Sequence, residues 1–240
     1  MSSRSLPPTV AAGDRADISI RDAGLTWLAA YIVGGLLSSI VSGGHSASEI
    51  TPAHLLAAWA AQWAPMIWAI WWVGKRCGCG LLSEDYGYTF RPIDLIGVPV
   101  GVFTQLVLLR LVYLPLEAIW PHTFAQDKLE ERAKSIVDNA HGGGMVLVIL
   151  VVVIGAPLVE ELTYRGLLQG AFTRRLSDGV GVVIVAMWFA LIHFAPVEIP
   201  GLFVVGLVLG VCAVRTGRLG LGVITHLAFN ATGLILAVTS

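Results

Sequence analysis

The sequence predicts an all-α, polytopic membrane helix bundle, and three observations predict it. Of 240 residues, 56% are hydrophobic and only 13% charged, against about 25% charged in an ordinary soluble domain, so water cannot surround the whole surface. Apolar runs of spanning length follow one another along the chain. Lys and Arg gather in alternate connecting segments. With 15 basic and 16 acidic residues the net charge is −1, which leaves no surplus to neutralise phosphates and excludes nucleic acid as a partner.

A crossing of the bilayer core takes about 20 helical residues. On that measure the spans fall near 24–42, 53–74, 94–120, 143–173, 179–197, 199–215 and 219–238, about seven in all. The long fourth run contains Gly155 and Pro157, and a break there would make eight. Residues 1–22 are polar and mixed in charge and read as a cytoplasmic tail without a cleavable signal; 23–240 read as a single transmembrane domain. Between the third and fourth spans, Lys128, Glu130, Glu131, Arg132, Lys134 and Asp138 alternate with Leu129, Ile136 and Val137. That pattern predicts an amphipathic surface helix over 125–140.

Cytoplasmic connections hold Lys and Arg in excess. Eleven of the 15 fall in the tail and in the second, fourth and sixth connections, which predicts a cytoplasmic N-terminus and an outside C-terminus. Arg110, inside the third span, is read as pairing with Glu117. Gly97-x-x-x-Gly101 and Gly206-x-x-x-Gly210 allow close helix approach within the bundle. Cys77, Cys79 and Cys212 are too few and too placed for a disulfide framework and are read as reduced thiols.

Ionisable groups inside a bilayer cost about 2.5–3.5 kcal/mol each on insertion scales, so each needs a partner or a purpose. They cluster in the second half of the chain. In the fourth span, Glu160 and Glu161 precede Arg165. Glu161 and Arg165 are four apart on one face and can pair, whereas Glu160 is turned about 100° away and is left for chemistry. The fifth span carries Phe189 and His193 four apart, and the seventh carries His226 and Asn230 four apart. A carboxylate, two imidazoles and an amide suffice to hold and deprotonate a water and to donate to an oxyanion. Pro157 bends the helix just ahead of Glu160, and irregular backbone at membrane depth belongs beside a cavity.

At these residues the chain resembles the CAAX protease and bacteriocin-processing enzyme family, CPBP or Abi, of intramembrane endopeptidases, classed as metalloproteases. Its pattern, Glu-Glu-x-x-x-Arg, Phe-x-x-x-His and His-x-x-x-Asn, stands here as Glu160-Glu161-x-x-x-Arg165, Phe189-x-x-x-His193 and His226-x-x-x-Asn230, within a core at about 145–235. The resemblance implies hydrolysis of a peptide bond in a membrane-associated protein or peptide, of CAAX or leader-processing type. Carried over, Glu160 and His193 activate water, His226 and Asn230 stabilise the oxyanion, and Glu161, Arg165 and Phe189 support the site.

Zinc could take Glu160, His193 and His226, one carboxylate and two imidazoles with a position left open. Metal-binding histidines rely on acceptors that orient them, and the sequence places no carboxylate to orient His193 and only the amide of Asn230 beside His226. The expectation therefore leans towards a metal-free, glutamate-dependent mechanism. A transporter or proton relay would also carry Glu, His and Arg at mid-membrane, and a non-catalytic membrane scaffold could keep the same fold.

Overall fold

The computed structural model describes residues 16–43, 52–125, 128, 137, 140 and 143–239, all helical or connecting. Seven long elements follow in order: α1 Ile20–Ser42, α2 Pro52–Cys77, α3 Pro92–Ile119, α4 Gly144–Thr173, α5 Asp178–Leu191, α6 Ile199–Thr216 and α7 Gly220–Thr239. Five of them, α1, α3, α4, α6 and α7, are long and apolar enough to cross a membrane, as in an integral multi-pass membrane protein. The other two coincide with the remaining sequence-predicted spans. α2 is long, but its tryptophans and Gln62 lower its hydropathy. α5 has 14 residues, about 21 Å of helix.

The predicted fifth span, 179–197, is thus cut short. Phe194 takes a left-handed φ of 50°, which a helix cannot continue through, and Pro196 follows two residues on. The fourth run is not cut in two. α4 runs unbroken for 30 residues by widening into π-helical turns over Ile149–Gly155 and Glu161–Gln169, on either side of Pro157, which has no N–H to donate to the preceding turn. The amphipathic segment expected over 125–140 lies almost wholly outside the described residues. No ion pair joins Arg110 to Glu117 among the described residues, and both are exposed. Seven residues put them about 10.5 Å apart along the axis, too far for side chains that gain more by reaching outward.

α4 is the central helix: it touches α1, α2, α5, α6 and α7, and every residue from Glu161 to Gln169 is buried. Leu162, Leu167 and Leu168 pack there with Ile70 of α2, Val185 and Phe189 of α5, and Val223 of α7. The helices around α4 pack closely on their neighbours, α6 on α5 and α7 on α3, because glycines face backbone. A Cβ on Gly206 would stand 2.9 Å from the Cα of Ala186, and one on Gly101 would stand 2.2 Å from the carbonyl oxygen of Thr225. Both Gly-x-x-x-Gly pairs thus serve seams inside the bundle. Gly101→Ala should consequently separate α3 from α7 and lower stability by about 1–3 kcal/mol, the usual cost of overpacking, read as a lower melting temperature in detergent.

The cytoplasm-predicted ends of α2, α4 and α7 are tied by two short segments. Residues 16–19 are docked: Ala16 and Ile18 are buried, Arg174 donates to the Ala16 carbonyl, and Arg175 donates to Ile18 O and Asp17 Oδ1, both at 2.8 Å. Ser19 then caps α1 by accepting from Asp22 N at 3.0 Å. After α2, the Tyr86 hydroxyl donates to Ile70 O at 2.5 Å, and burial pushes this phenol well above its ordinary pKa. Gly87 and Thr89 accept from Leu219 N and Gly220 N at 2.8 and 3.1 Å, latching this connection to the start of α7.

Candidate active site

The site is built where α4 changes from α to π geometry. Glu160 closes the regular stretch Ala156–Glu160 and Glu161 opens the wide one, so adjacent carboxylates meet different surroundings. The Glu161 and Arg165 side chains are both 0% exposed, whereas Glu160 retains 23%. Arg165 Nη1 donates to Glu161 Oε1 at 3.0 Å. Its Nη2 donates to Gly206 O at 3.3 Å, and the guanidinium lies 4.6 Å from the centre of the Phe189 ring. A charge at this depth is tolerable because its two terminal nitrogens meet a carboxylate and a carbonyl and the guanidinium lies against a ring.

His226, on α7, joins the two glutamates. Its Nδ1 lies 3.0 Å from Glu161 Oε1, the same oxygen that receives Arg165, and its Nε2 lies 3.8 Å from Glu160 Oε2. The second Glu161 oxygen and Arg165 Nε have no hydrogen-bond partner. Oε2 faces Gly222, one turn before His226, where a Cβ would come within 2.9 Å of it. The glycine makes room for the buried carboxylate.

Phe189 of α5 is the common floor. It is 1% exposed, and its ring centre lies 4.8 Å from that of His193, 6.0 Å from that of His226 and 5.2 Å from that of Tyr164. Just past α5, His193 Nδ1 lies 2.6 Å from Phe189 O. A carbonyl only accepts, so this nitrogen is the donor, and in the neutral ring Nε2 is the acceptor. Asn230 Nδ2 donates to Val152 O at 2.8 Å, tying α7 to the first wide turn of α4. One amide N–H remains for another partner.

Glu160, Glu161, Arg165, Phe189, His193 and His226 are therefore brought into one cluster, with Asn230 held at its edge. Glu160 is opposed by His226; among the described residues no hydrogen bond or ion pair joins it to His193. The sequence expectation that only the Asn230 amide stands beside His226 is corrected, since a carboxylate meets its ring; the acceptor at His193 is a backbone carbonyl and not a carboxylate. Glu161 serves His226 in a contact across helices that residue spacing does not show, and the Phe189 carbonyl, four residues back, serves His193. For zinc the donors are of the right kind, but no three His, Cys, Asp or Glu side chains among the described residues converge to hold a metal ion together. Glu160, His193 and His226 do not form a metal centre in this arrangement. Gly222 was also not singled out by sequence, although its place four residues before His226 puts it on the same face of α7.

Comparison with known proteins bears on this cluster directly. Residues 142–232 match the family described as type II CAAX prenyl endopeptidase Rce1-like. The CAAX protease resemblance carried by the motifs is thereby shown, and every residue of the cluster lies inside the matched segment. An uncharacterized 24.3 kDa protein of Escherichia coli is 30% identical over 147 residues, 59% of this chain and 62% of the relative. No solved structure matches.

Proposed function

We propose that this protein is an intramembrane endopeptidase that hydrolyses a peptide bond of a membrane-associated protein or peptide, of CAAX or leader-processing type. One observation carries the reading. The half-buried Glu160 carboxylate faces the imidazole of His226 at 3.8 Å, and behind that imidazole stands a buried Glu161–Arg165 pair. A general base needs access to water and a neighbour that can take up the proton. Glu160 is the carboxylate of the cluster that retains exposure, and His226 is the neighbour.

In this reading water sits at Glu160 and the bound peptide carbonyl accepts from the free N–H of Asn230. Glu160 withdraws a proton as the water oxygen attacks. Phe189 keeps the imidazoles in place and excludes water from the side of Arg165, which lets the ion pair act at short range. His193 presents Nε2 to the same space as an acceptor for the attacking water or a substrate N–H. Comparative peptidomics of membranes holding the intact protein or Glu160→Ala tests the proposal and finds the bond. Peptides that change only with Glu160 are expected; identical peptidomes together with a Glu160-dependent solute flux would make the protein a transporter, and identical peptidomes without flux a scaffold.

The seven-span topology belongs to the same proposal. α2 and α5 coincide with predicted spans, and the basic residues alternate accordingly. Reporter fusions after Arg76 and Arg175 should register the cytoplasmic side and a fusion after Ser240 the opposite side. Matching signals from Arg76 and Ser240 would reject seven crossings.

A further inference from the structure

The carry-over from the family pattern makes His226 a donor to the oxyanion, yet the geometry of its ring points elsewhere. A carboxylate accepts hydrogen bonds and cannot give them, so the nitrogen 3.0 Å from Glu161 Oε1 must be the protonated one. In the neutral ring the remaining nitrogen, Nε2, then carries a lone pair, and that lone pair is the group 3.8 Å from Glu160 Oε2. The acceptor is also rigid. Glu161 is held by Arg165 from the same helix, its whole side chain is buried, and its other oxygen fills the space left by Gly222.

We infer that Glu161 is a positioning residue that locks His226 as the Nδ1–H tautomer, so that Nε2 works as the proton carrier between Glu160 and the departing amine. This rests on the proposed hydrolysis and assigns the route of its proton. Glu160 takes the proton as the water oxygen bonds to the carbonyl carbon, and passes it to Nε2. The resulting imidazolium is flanked by Glu161, which offsets its charge. When the C–N bond breaks, the electron pair goes to nitrogen and the Nε2 proton follows it. Glu160 and His226 end as they began, and the water has become the hydroxyl of the new carboxyl group and one amine hydrogen.

The test needs no substrate for its first readout. Protein labelled with 15N-histidine, in detergent, is compared with His226→Gln to assign the His226 signals, and then with Glu161→Gln and Gly222→Ala. A protonated Nδ1 and a bare Nε2 are expected in the unaltered protein. Gly222→Ala keeps every charge but drives a Cβ against the carboxylate, and should turn the single tautomer into a mixture; it stands in should Glu161→Gln fail to fold. On the peptide identified by peptidomics, Gly222→Ala should lower kcat by about tenfold or more, a part of the roughly 10²–10⁴-fold that acid–base assistance supplies, with KM unchanged. A protonated Nε2 in the unaltered protein, or an unchanged tautomer with unchanged kcat in Gly222→Ala, would overturn the inference while Glu160-dependent cleavage stood. Loss of that cleavage dependence with the Nδ1–H tautomer intact would instead remove the hydrolytic reading and with it the carrier role.

Discussion

Glu160→Gln should abolish peptide hydrolysis and leave the bundle folded. The amide keeps the shape of the side chain and loses only its basicity, so the expected loss is that of a general base, about 10²–10⁴-fold in rate. Folding should survive because Glu160 is the partly exposed member of the pair and its imidazole neighbour among the described residues, His226 Nε2, lies at 3.8 Å, beyond hydrogen-bonding range. The measurement is paired: rate on the peptide found by peptidomics, and thermal unfolding of the purified variant. Full activity in Glu160→Gln would move the base to another group. A collapsed melting temperature would mean that Glu160, like its neighbour, is structural.

Much of this division between adjacent glutamates is legible in the sequence, and the physical reason is helical spacing. Four residues fix Glu161 and Arg165 on one face whatever surrounds them, and the same spacing brings His193 to the Phe189 carbonyl. Local rules could not reach contacts between helices. The bond from His226 to Glu161 joins residues 65 apart in sequence, and the tie from Asn230 to Val152 spans 78. Both decide which hydrogen-bonding groups are still free, so both alter the roles that spacing alone would give. The membrane bundle itself was readable from composition and apolar runs. The early end of α5 was not, since the apolar residues after His193 extend the hydropathy signal past the point where Phe194 turns left-handed.

Arg165→Met should have the largest effect on stability. The substitution is close in length and keeps apolar contact with Phe189, so packing changes little, but it removes both guanidinium bonds and leaves the Glu161 carboxylate buried with His226 as its remaining partner. Breaking a buried ion pair from one side costs about 3–5 kcal/mol, much of it from the stranded charge. Arg165→Met combined with Glu161→Leu strands no charge and should be less destabilised than Arg165→Met alone, since a buried pair replaced by apolar residues is often nearly neutral. The double-mutant comparison thus separates stranded charge from lost shape. Its activity carries the second half of the prediction: without Glu161 nothing fixes the His226 ring, so the recovered fold should remain slow on the peptide. A double variant as stable as the unaltered protein and equally fast would show that the pair contributes neither to the fold nor to the aim of His226.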